Sequence, residues 1–242
     1  MVLAAAQINS KGGDLNENIR IHMDMIKEAA VSGADLILFP EMSLTGYERE
    51  KAEDLSFSRN DSKLYKLIQL AARHQIVIVA GAPVKLGKNL HIGAFILNPT
   101  GPVSLYVKKF LHAGEEKYYS PSTEHDPVIS INGMRACNAI CADIENPGHV
   151  EHAKRVNDCH LYLAGIFYSR QGILSAHQLL SGYAREKSIC VLMANYSGEQ
   201  WGITSGGKSA FWDEKGNLIA ELGEKDSALL IVEQKGKCWK SM

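Results

Sequence analysis

The chain has 242 residues, 45% of them hydrophobic, with 26 basic and 27 acidic residues and a formal net charge of -1. This length and apolar content suit a continuous core, so we expect one domain over residues 1–242 and exclude a disordered chain. The charges are interspersed without a basic stripe, which argues against nucleic acid as a partner.

Apolar runs bounded by turn residues predict strands, and apolar residues at helical spacing predict helices. The predicted elements read β-α-β-α-β-β-β and then β-β-α-β-α-β-β-β-β. The helices are expected at 16–32, at 61–74, after Pro147 and at 173–187. The strands are expected at 2–9, 35–39, 76–82, 90–98, 102–107, 127–140 in two pieces, 159–165, 189–195, 207–212, 217–222 and 227–233.

Each half of the chain supplies two helices and several strands, which predicts an α/β fold with two mixed sheets stacked face to face. A helix pair would cover the outer face of each sheet, giving a four-layer α-β-β-α sandwich. Several strands, such as 76–80 and 190–194, are apolar at every position. Strands buried on both faces have this pattern.

The location of the protein is predicted from its apolar runs and its cysteines. No run approaches the roughly 18 apolar residues of a membrane span, and residues 1–7 lack the features of a signal peptide, so we expect a cytoplasmic protein without a membrane partner. The number of cysteines is odd, and most lie in apolar strand-like runs, so we expect free thiols. They are Cys137, Cys141, Cys159, Cys190 and Cys238.

Three reactive side chains follow predicted strands, at the points where apolar sequence gives way to polar turns. They are Glu41, Lys108 and Cys141. Strand ends of this kind are where α/β folds present functional groups. Taken singly, each also fits an ordinary role, because most free cysteines are buried apolar residues and most charged residues at strand ends are solvated.

The sequence around these three residues resembles the signatures of the nitrilase superfamily of carbon-nitrogen hydrolases over nearly the whole chain. The glutamate motif is Leu38-Phe39-Pro40-Glu41 with Gly46-Tyr47, the lysine motif is Tyr106-Val107-Lys108-Lys109-Phe110-Leu111, and the cysteine motif is Ile140-Cys141-Ala142-Asp143 with Pro147. Two later stretches, 184–198 and 207–216, also resemble the family.

The resemblance implies a cofactor-free hydrolase of non-peptide carbon-nitrogen bonds that forms at least a homodimer. It selects Lys108 over Lys109 as the catalytic lysine. It also implies an additional site glutamate, for which the register against Pro121 favours Glu115 over Glu116. The chain departs from the family pattern at Phe110, Ser122 and Asn146-Pro147-Gly148. These departures leave the triad intact and the substrate open.

The chemistry of such a triad requires an activated thiol, because an unperturbed cysteine has a pKa of about 8.5. We expect Glu41 to serve as general base and then general acid, and Lys108 to stabilise the oxyanion with the backbone N–H after Cys141, that of Ala142. Five aromatic residues fall in segments that could line the substrate pocket, although aromatic residues of a core would have the same pattern; they are Tyr47, Tyr118, Tyr119, Phe167 and Trp201. Small linear amides, ω-amides, N-carbamoyl compounds and nitriles are all admissible substrates.

Two functions from other classes remain as alternatives. Residues 202–209, Gly-Ile-Thr-Ser-Gly-Gly-Lys-Ser, fit the phosphate-loop pattern, which would indicate a nucleotide-binding protein. The sequence that follows indicates a strand, whereas a phosphate loop must open a helix. The second alternative is a catalytically silent binding module with the same fold. No set of Cys, His and carboxylate residues has the spacing of a metal site, so we expect none.

Overall fold

The computed structural model describes residues 1–123 and 126–242. Its helices are α1 (Leu15–Val31), α2 (Ala52–Leu55), α3 (Tyr65–His74), α4 (Pro147–Arg155) and α5 (Ile173–Lys187). The Asp14 side chain caps α1 by accepting from the Glu17 backbone N–H, and the Asn146 side chain likewise caps α4 at Gly148. Such caps satisfy backbone donors that the first turn leaves without acceptors. Short 3-10 helices lie at Ser62–Leu64, Glu115–Lys117 and Cys141–Glu145.

A first sheet contains seven strands and mixes parallel and antiparallel pairs. In chain order they are β1 (Val2–Gln7), β2 (Leu36–Leu38), β3 (Val77–Leu86), β4 (Asn89–Leu97), β5 (Ser104–Val107), β14 (Ala228–Lys235) and β15 (Cys238–Ser241). Their order across the sheet is β15-β14-β1-β2-β3-β4-β5. Strands β1, β2 and β3 are parallel, with Leu3 beside Leu36 and Leu36 beside Val77.

A second sheet contains six strands. They are β6 (Ile129–Ile131), β7 (Met134–Ile140), β8 (Leu161–Gly165), β9 (Cys190–Ala194), β12 (Ala210–Trp212) and β13 (Leu218–Glu221), in the spatial order β13-β12-β9-β8-β7-β6. The central strands β7, β8 and β9 are parallel. A separate pair joins β10 (Glu199–Gln200) to β11 (Ile203–Thr204).

The alternation of side chains along each strand divides the core into three layers. In β1 and β2, Leu3 and Leu36 belong to the cluster between the sheets, whereas Ala4 and Ile37 face the cluster beneath α1 and α3. The second sheet contributes Leu161 to the central cluster, and its other face packs against α4 and α5. Since successive residues of a strand point to opposite faces, both faces of both sheets are covered. The predicted four-layer α-β-β-α sandwich is confirmed.

The main differences from the prediction are short or C-terminal elements. The helix α2 and the strands β10, β11 and β15 were not predicted, and the predicted strand 207–212 begins only at Ala210. Within the described part of the chain, no helix combines the length and apolarity that crossing a membrane requires.

The expectation that all cysteines are free thiols is wrong for two of them. Cys137 on β7 and Cys159, which precedes β8, form a disulfide across this parallel strand pair, with their Cα atoms 6.2 Å apart. Both lie in the layer between the second sheet and its helices, where the chain brings them together although 22 residues separate them. Cys141, Cys190 and Cys238 are free.

The phosphate-loop alternative is also contradicted by the structure. Residues 202–209 contain β11 and lead into β12, so no helix follows them. The Ser209 hydroxyl is fully buried and donates to Gln7 Oε1, and Lys208 Nζ lies 3.1 Å from Glu221 Oε1. The loop lacks the helix N-terminus that would hold a phosphate, and its lysine is occupied by a carboxylate.

Candidate active site

Glu41, Lys108 and Cys141 lie at the carboxyl ends of β2, β5 and β7. Strand β5 is antiparallel to β4, which is antiparallel to β3, so β5 runs in the same direction as β2. Glu41 and Lys108 therefore emerge at the same edge of the first sheet, and Lys108 Nζ donates to Glu41 Oε1 at 2.7 Å. Both side chains are fully buried.

Lys108 also binds the carboxylate of Glu115, which begins a 3-10 helix. Its Nζ lies 3.0 Å from Oε1 and 2.9 Å from Oε2 of Glu115. The same carboxylate accepts hydrogen bonds from the Tyr47 hydroxyl and from the backbone N–H of His112. The ammonium is thus held between two buried carboxylates, and the predicted choice of Glu115 agrees with this geometry because Glu116 is exposed.

Burial and neighbouring charge set the protonation of these groups. Burial raises the pKa of Glu41, and the charge of Lys108 only partly opposes that shift. For Lys108 the neighbouring charges outweigh burial. Burial lowers its pKa, but the charges of Glu41, Cys141 and Glu115 raise it by more, so its pKa lies above the usual value. Burial raises the pKa of Glu115 as well, yet Lys108 and the hydrogen bond from Tyr47 bring it below the usual value. Glu41 is therefore the better proton acceptor of the two carboxylates.

The Glu41 segment is clamped by close backbone approaches from both sheets. A Cβ on Gly81 of β3 would lie 2.4 Å from the backbone nitrogen of Met42, and one on Gly165 of β8 would lie 2.9 Å from a carbonyl oxygen of the segment. The Tyr196 hydroxyl donates to the Glu41 carbonyl at 2.6 Å. Only glycine allows these contacts, so both positions fix where the carboxylate stands.

Cys141 occupies a sharp turn directly after β7. Its φ is 45°, a left-handed conformation that side-chain-bearing residues adopt at a cost and that clusters at functional sites. The thiol is buried, and its hydrogen-bond partners among the described residues are His112 Nε2 at 3.2 Å and the Phe167 carbonyl at 3.5 Å. Burial, together with the negative charge of Glu41, raises the pKa of this thiol well above its usual value.

Asp143 connects the cysteine turn to the lysine segment. Its Oδ2 accepts from the Ile140 backbone N–H at 2.8 Å, and its Oδ1 accepts from the backbone N–H groups of Lys109 and Phe110 at 3.0 and 2.9 Å. The Tyr106 hydroxyl also donates to Oδ2, at 2.6 Å. One buried carboxylate therefore sets the spacing between two strand ends that belong to different sheets.

A cavity of about 300 Å³ opens beside Cys141. Its walls are formed by aromatic, basic and small polar residues. They are Tyr47, Arg49, His112, Cys141, Phe167, Tyr168, Ser169, Gly172 and Ile203. The sequence analysis predicted Tyr47 and Phe167 in this role. Tyr118 does not line the cavity, because its hydroxyl points to Glu50. The side chain of Ala142 is buried, and its predicted contribution through the backbone N–H stays a prediction.

Sequence reasoning missed Arg49 and His112. Arg49 comes two residues after Tyr47, and His112 comes directly after the end of the lysine motif, so both lie just outside the segments that carry the resemblance. His112 Nδ1 lies 3.9 Å from Glu145 Oε2. The signal that the sequence offered for both residues was a basic side chain one or two positions after a motif of the resemblance.

The site is built for nucleophilic chemistry at a thiol. It brings Cys141 to a cavity, with the ammonium of Lys108 and the carboxylate of Glu41 buried nearby. Among residues 1–123 and 126–242 no group of three or more His, Cys, Asp or Glu side chains could hold a metal ion. A thiol, a carboxylate and an ammonium are the side-chain types with which a protein can carry out acyl transfer.

Comparison with known proteins agrees with this chemistry. Residues 2–238 match the family described as carbon-nitrogen hydrolase. A nitrilase of Pyrococcus abyssi is 24% identical over 96% of this chain and 88% of that protein. A 2-oxoglutaramate amidase of Bacillus subtilis is also 24% identical, over 93% of this chain and 87% of that protein. The solved structure of an amidase from Nesterenkonia sp. AN1 superimposes with a TM-score of 0.88 at 26% identity, over 98% of this chain and 93% of that one. A mutant of that amidase carries acrylamide, by Michael addition, at its active-site cysteine.

Proposed function

The chain belongs to the carbon-nitrogen hydrolase family, and from that premise we propose that it hydrolyses a small linear amide or N-carbamoyl compound through a thioester on Cys141. The family confirms the predicted resemblance and the activity class. The observation that carries the finer proposal is the buried Glu41–Lys108–Glu115 group beside the thiol, with Lys108 Nζ 2.7 Å from Glu41 Oε1.

In the proposed acylation, Glu41 takes the proton of the Cys141 thiol as the sulfur attacks the amide carbonyl. Glu41 Oε2 has no hydrogen-bond partner among the described residues, so it is free to accept this proton. The thiol and Glu41 form no direct hydrogen bond, and such catalytic contacts commonly tighten when substrate binds. The carbon-nitrogen bond then breaks, Glu41 returns the proton to nitrogen, and ammonia or an amine leaves.

In the proposed deacylation, water attacks the thioester and gives its proton to Glu41. The sulfur–carbon bond breaks, and Cys141 regains a proton as the acid departs. Both tetrahedral species carry an oxyanion, which we assign to Lys108 Nζ and to the backbone N–H of Ala142, at the start of the 3-10 helix. Glu115 keeps Lys108 charged and in position, because it binds the ammonium through both oxygens.

Ammonia release from a panel of amides and N-carbamoyl compounds tests this proposal. The wild type should release ammonia and Cys141→Ala should not, while both should unfold at similar temperatures because the side chains are close in size. Mass spectrometry of Glu41→Gln with substrate should detect an acyl adduct on Cys141 if deacylation is slowed more than acylation. Turnover by Cys141→Ala would refute the proposed nucleophile.

A catalytically silent binding module is the alternative that this experiment separates. Such a protein would bind amides without releasing ammonia from any of them. The retained nucleophile, ammonium and carboxylates favour the enzyme. We also propose a homodimer, as the resemblance implies, while the cytoplasmic location stays a prediction from the sequence. Light scattering at micromolar concentration tests the dimer, and a monomer would contradict it.

A further inference from the structure

Resting on the proposed function, we propose that Arg49 makes this hydrolase selective for amides that carry a carboxylate, such as the monoamides of short dicarboxylic acids. The inference starts from the charge of the cavity beside Cys141. Its lining includes the guanidinium of Arg49 and the imidazole of His112 but no carboxylate. Glu41 and Glu115 are not part of this lining, because their side chains are fully buried against Lys108, although their charges still act on the Arg49 guanidinium.

Arg49 is held in a fixed position by aromatic rings. Its guanidinium carbon lies 4.8 Å from the ring centre of Tyr47 and 4.2 Å from that of Trp201. One terminal nitrogen, Nη2, donates to the Tyr47 hydroxyl at 3.0 Å. Cation–π stacking of this kind orients a guanidinium without using its in-plane donors. The side chain is thus preorganised, which lowers the entropy cost of binding a ligand.

The same guanidinium has unused hydrogen-bonding capacity. Nη2 is its one nitrogen with a hydrogen-bond partner among the described residues, and the described ion pairs do not include Arg49. Its buried Nε has no acceptor. Nη1 likewise has no hydrogen-bond partner among the described residues, and Arg49 lines the cavity. A carboxylate is the group that best satisfies such a cation, because it matches both its charge and its planar donors.

The size of the cavity limits the length of the substrate. Arg49 and Cys141 line the same cavity, so a substrate with its amide at Cys141 and its carboxylate at Arg49 must be short. The cavity volume of about 300 Å³ also suits a small molecule.

A purely structural role for Arg49 predicts a different result. If Arg49 served only to orient Tyr47, and through it Glu115, its loss would lower turnover of neutral and anionic amides alike. If it binds the substrate carboxylate, its loss would act mainly on KM and only for anionic amides. Two nearly isosteric substrates separate these cases. Succinamate carries a carboxylate where succinamide carries a second amide.

The experiment measures kcat and KM for both substrates, and the dissociation constant of succinamate from the inactive Cys141→Ala protein by calorimetry. We expect the wild type to prefer succinamate by about tenfold or more in kcat/KM. Arg49→Gln should remove most of that preference through a higher KM for succinamate, and Arg49→Lys should restore part of it. Lys51→Gln is the matched control, because Lys51 is exposed and pairs with Glu48 outside the cavity.

The possible outcomes distinguish the two proposals. Equal kcat/KM for the two substrates, or an unchanged ratio in Arg49→Gln, would overturn the role of Arg49 while leaving the hydrolase intact. Succinamate that binds Cys141→Ala in an Arg49-dependent manner but is not hydrolysed by the wild type would support the carboxylate site and refute the reaction. Failure of succinamate to bind Cys141→Ala at millimolar concentration would overturn the carboxylate site directly.

Discussion

Replacing Asp143 by Asn tests whether one buried carboxylate fixes the spacing between the ends of β5 and β7, which belong to different sheets. The substitution preserves the shape of the side chain and removes one acceptor oxygen. In the wild type each carboxylate oxygen accepts two hydrogen bonds, from three backbone N–H groups and the Tyr106 hydroxyl. An amide can accept at only one of the two ends.

The expected cost follows from the better of the two amide orientations. In the better orientation, the new amide nitrogen faces the Tyr106 hydroxyl. That hydroxyl can then accept a hydrogen bond from the amide and donate its own proton to His149 Nε2, which lies 2.8 Å away. The Ile140 N–H has no such substitute and is left unpaired. A buried unpaired donor costs about 1–3 kcal/mol, and the loss of charge from the remaining bonds adds roughly 1 kcal/mol. We therefore expect a loss of about 2–4 kcal/mol in unfolding free energy.

Urea denaturation and thermal melting measure this loss, which for a chain of this length corresponds to a fall in Tm of about 5–15 °C. We also expect a lower kcat, because Ile140 precedes the nucleophile and its release loosens the turn. Asp24→Asn is the matched control, since Asp24 is exposed on α1 and pairs with Arg20, and its loss should cost at most about 0.5 kcal/mol. Wild-type stability and kcat in Asp143→Asn would refute the reasoning.

Further predictions concern Glu41, His22 and the two adjacent lysines. Because the pKa of Glu41 is raised and the base must be deprotonated, kcat/KM should fall as pH decreases through a value above that of an ordinary carboxyl group. An acid limb at or below the ordinary value would contradict this assignment. Burial lowers the pKa of His22 to about 4, so the unfolded chain binds a proton below pH 6.5 that the native chain does not. Stability should therefore fall by about 3 kcal/mol from this group between pH 6.5 and 4. His22→Gln should flatten that part of the unfolding free energy profile, and an unchanged slope would exclude the linkage. Lys108→Met should lose nearly all activity, whereas Lys109→Met should retain most of it, and the reverse result in an ammonia assay would reassign the oxyanion donor.

The sandwich could be predicted because its signals are local. Strands such as β3 and β9 are apolar at successive positions, and a chain can bury them only between two other layers. The three reactive groups were proposed because each stands where an apolar strand ends and because the sequence around them resembles the nitrilase superfamily. The strand ends alone were not sufficient, since Glu41 and Lys108 follow strands of the first sheet and Cys141 follows a strand of the second.

The features that escaped prediction depend on contacts between distant segments. Strand β15 has one buried residue, Trp239, between exposed neighbours, which is too weak a pattern to distinguish from a loop. The pairing of Cys137 with Cys159 depends on the segment that leads into β8, because the register of β7 beside β8 places Tyr162 next to Cys137, and spacing alone does not reveal this approach. The position of Arg49 depends on the Trp201 ring, which comes from the loop between β10 and β11.

The charges of the site explain why its thiol need not be ionised at rest. One ammonium, Lys108, is shared by two buried carboxylates, so the group already carries a surplus negative charge when Glu41 is ionised. A thiolate on Cys141 would add a second negative charge, and burial raises the free-energy cost of ionising the thiol further. Transfer of the thiol proton to Glu41 moves the negative charge from oxygen to sulfur without increasing it. In the proposed mechanism, proton transfer coupled to attack on the carbonyl therefore avoids a state that the buried site disfavours, and Lys108 would remain charged to stabilise the oxyanion.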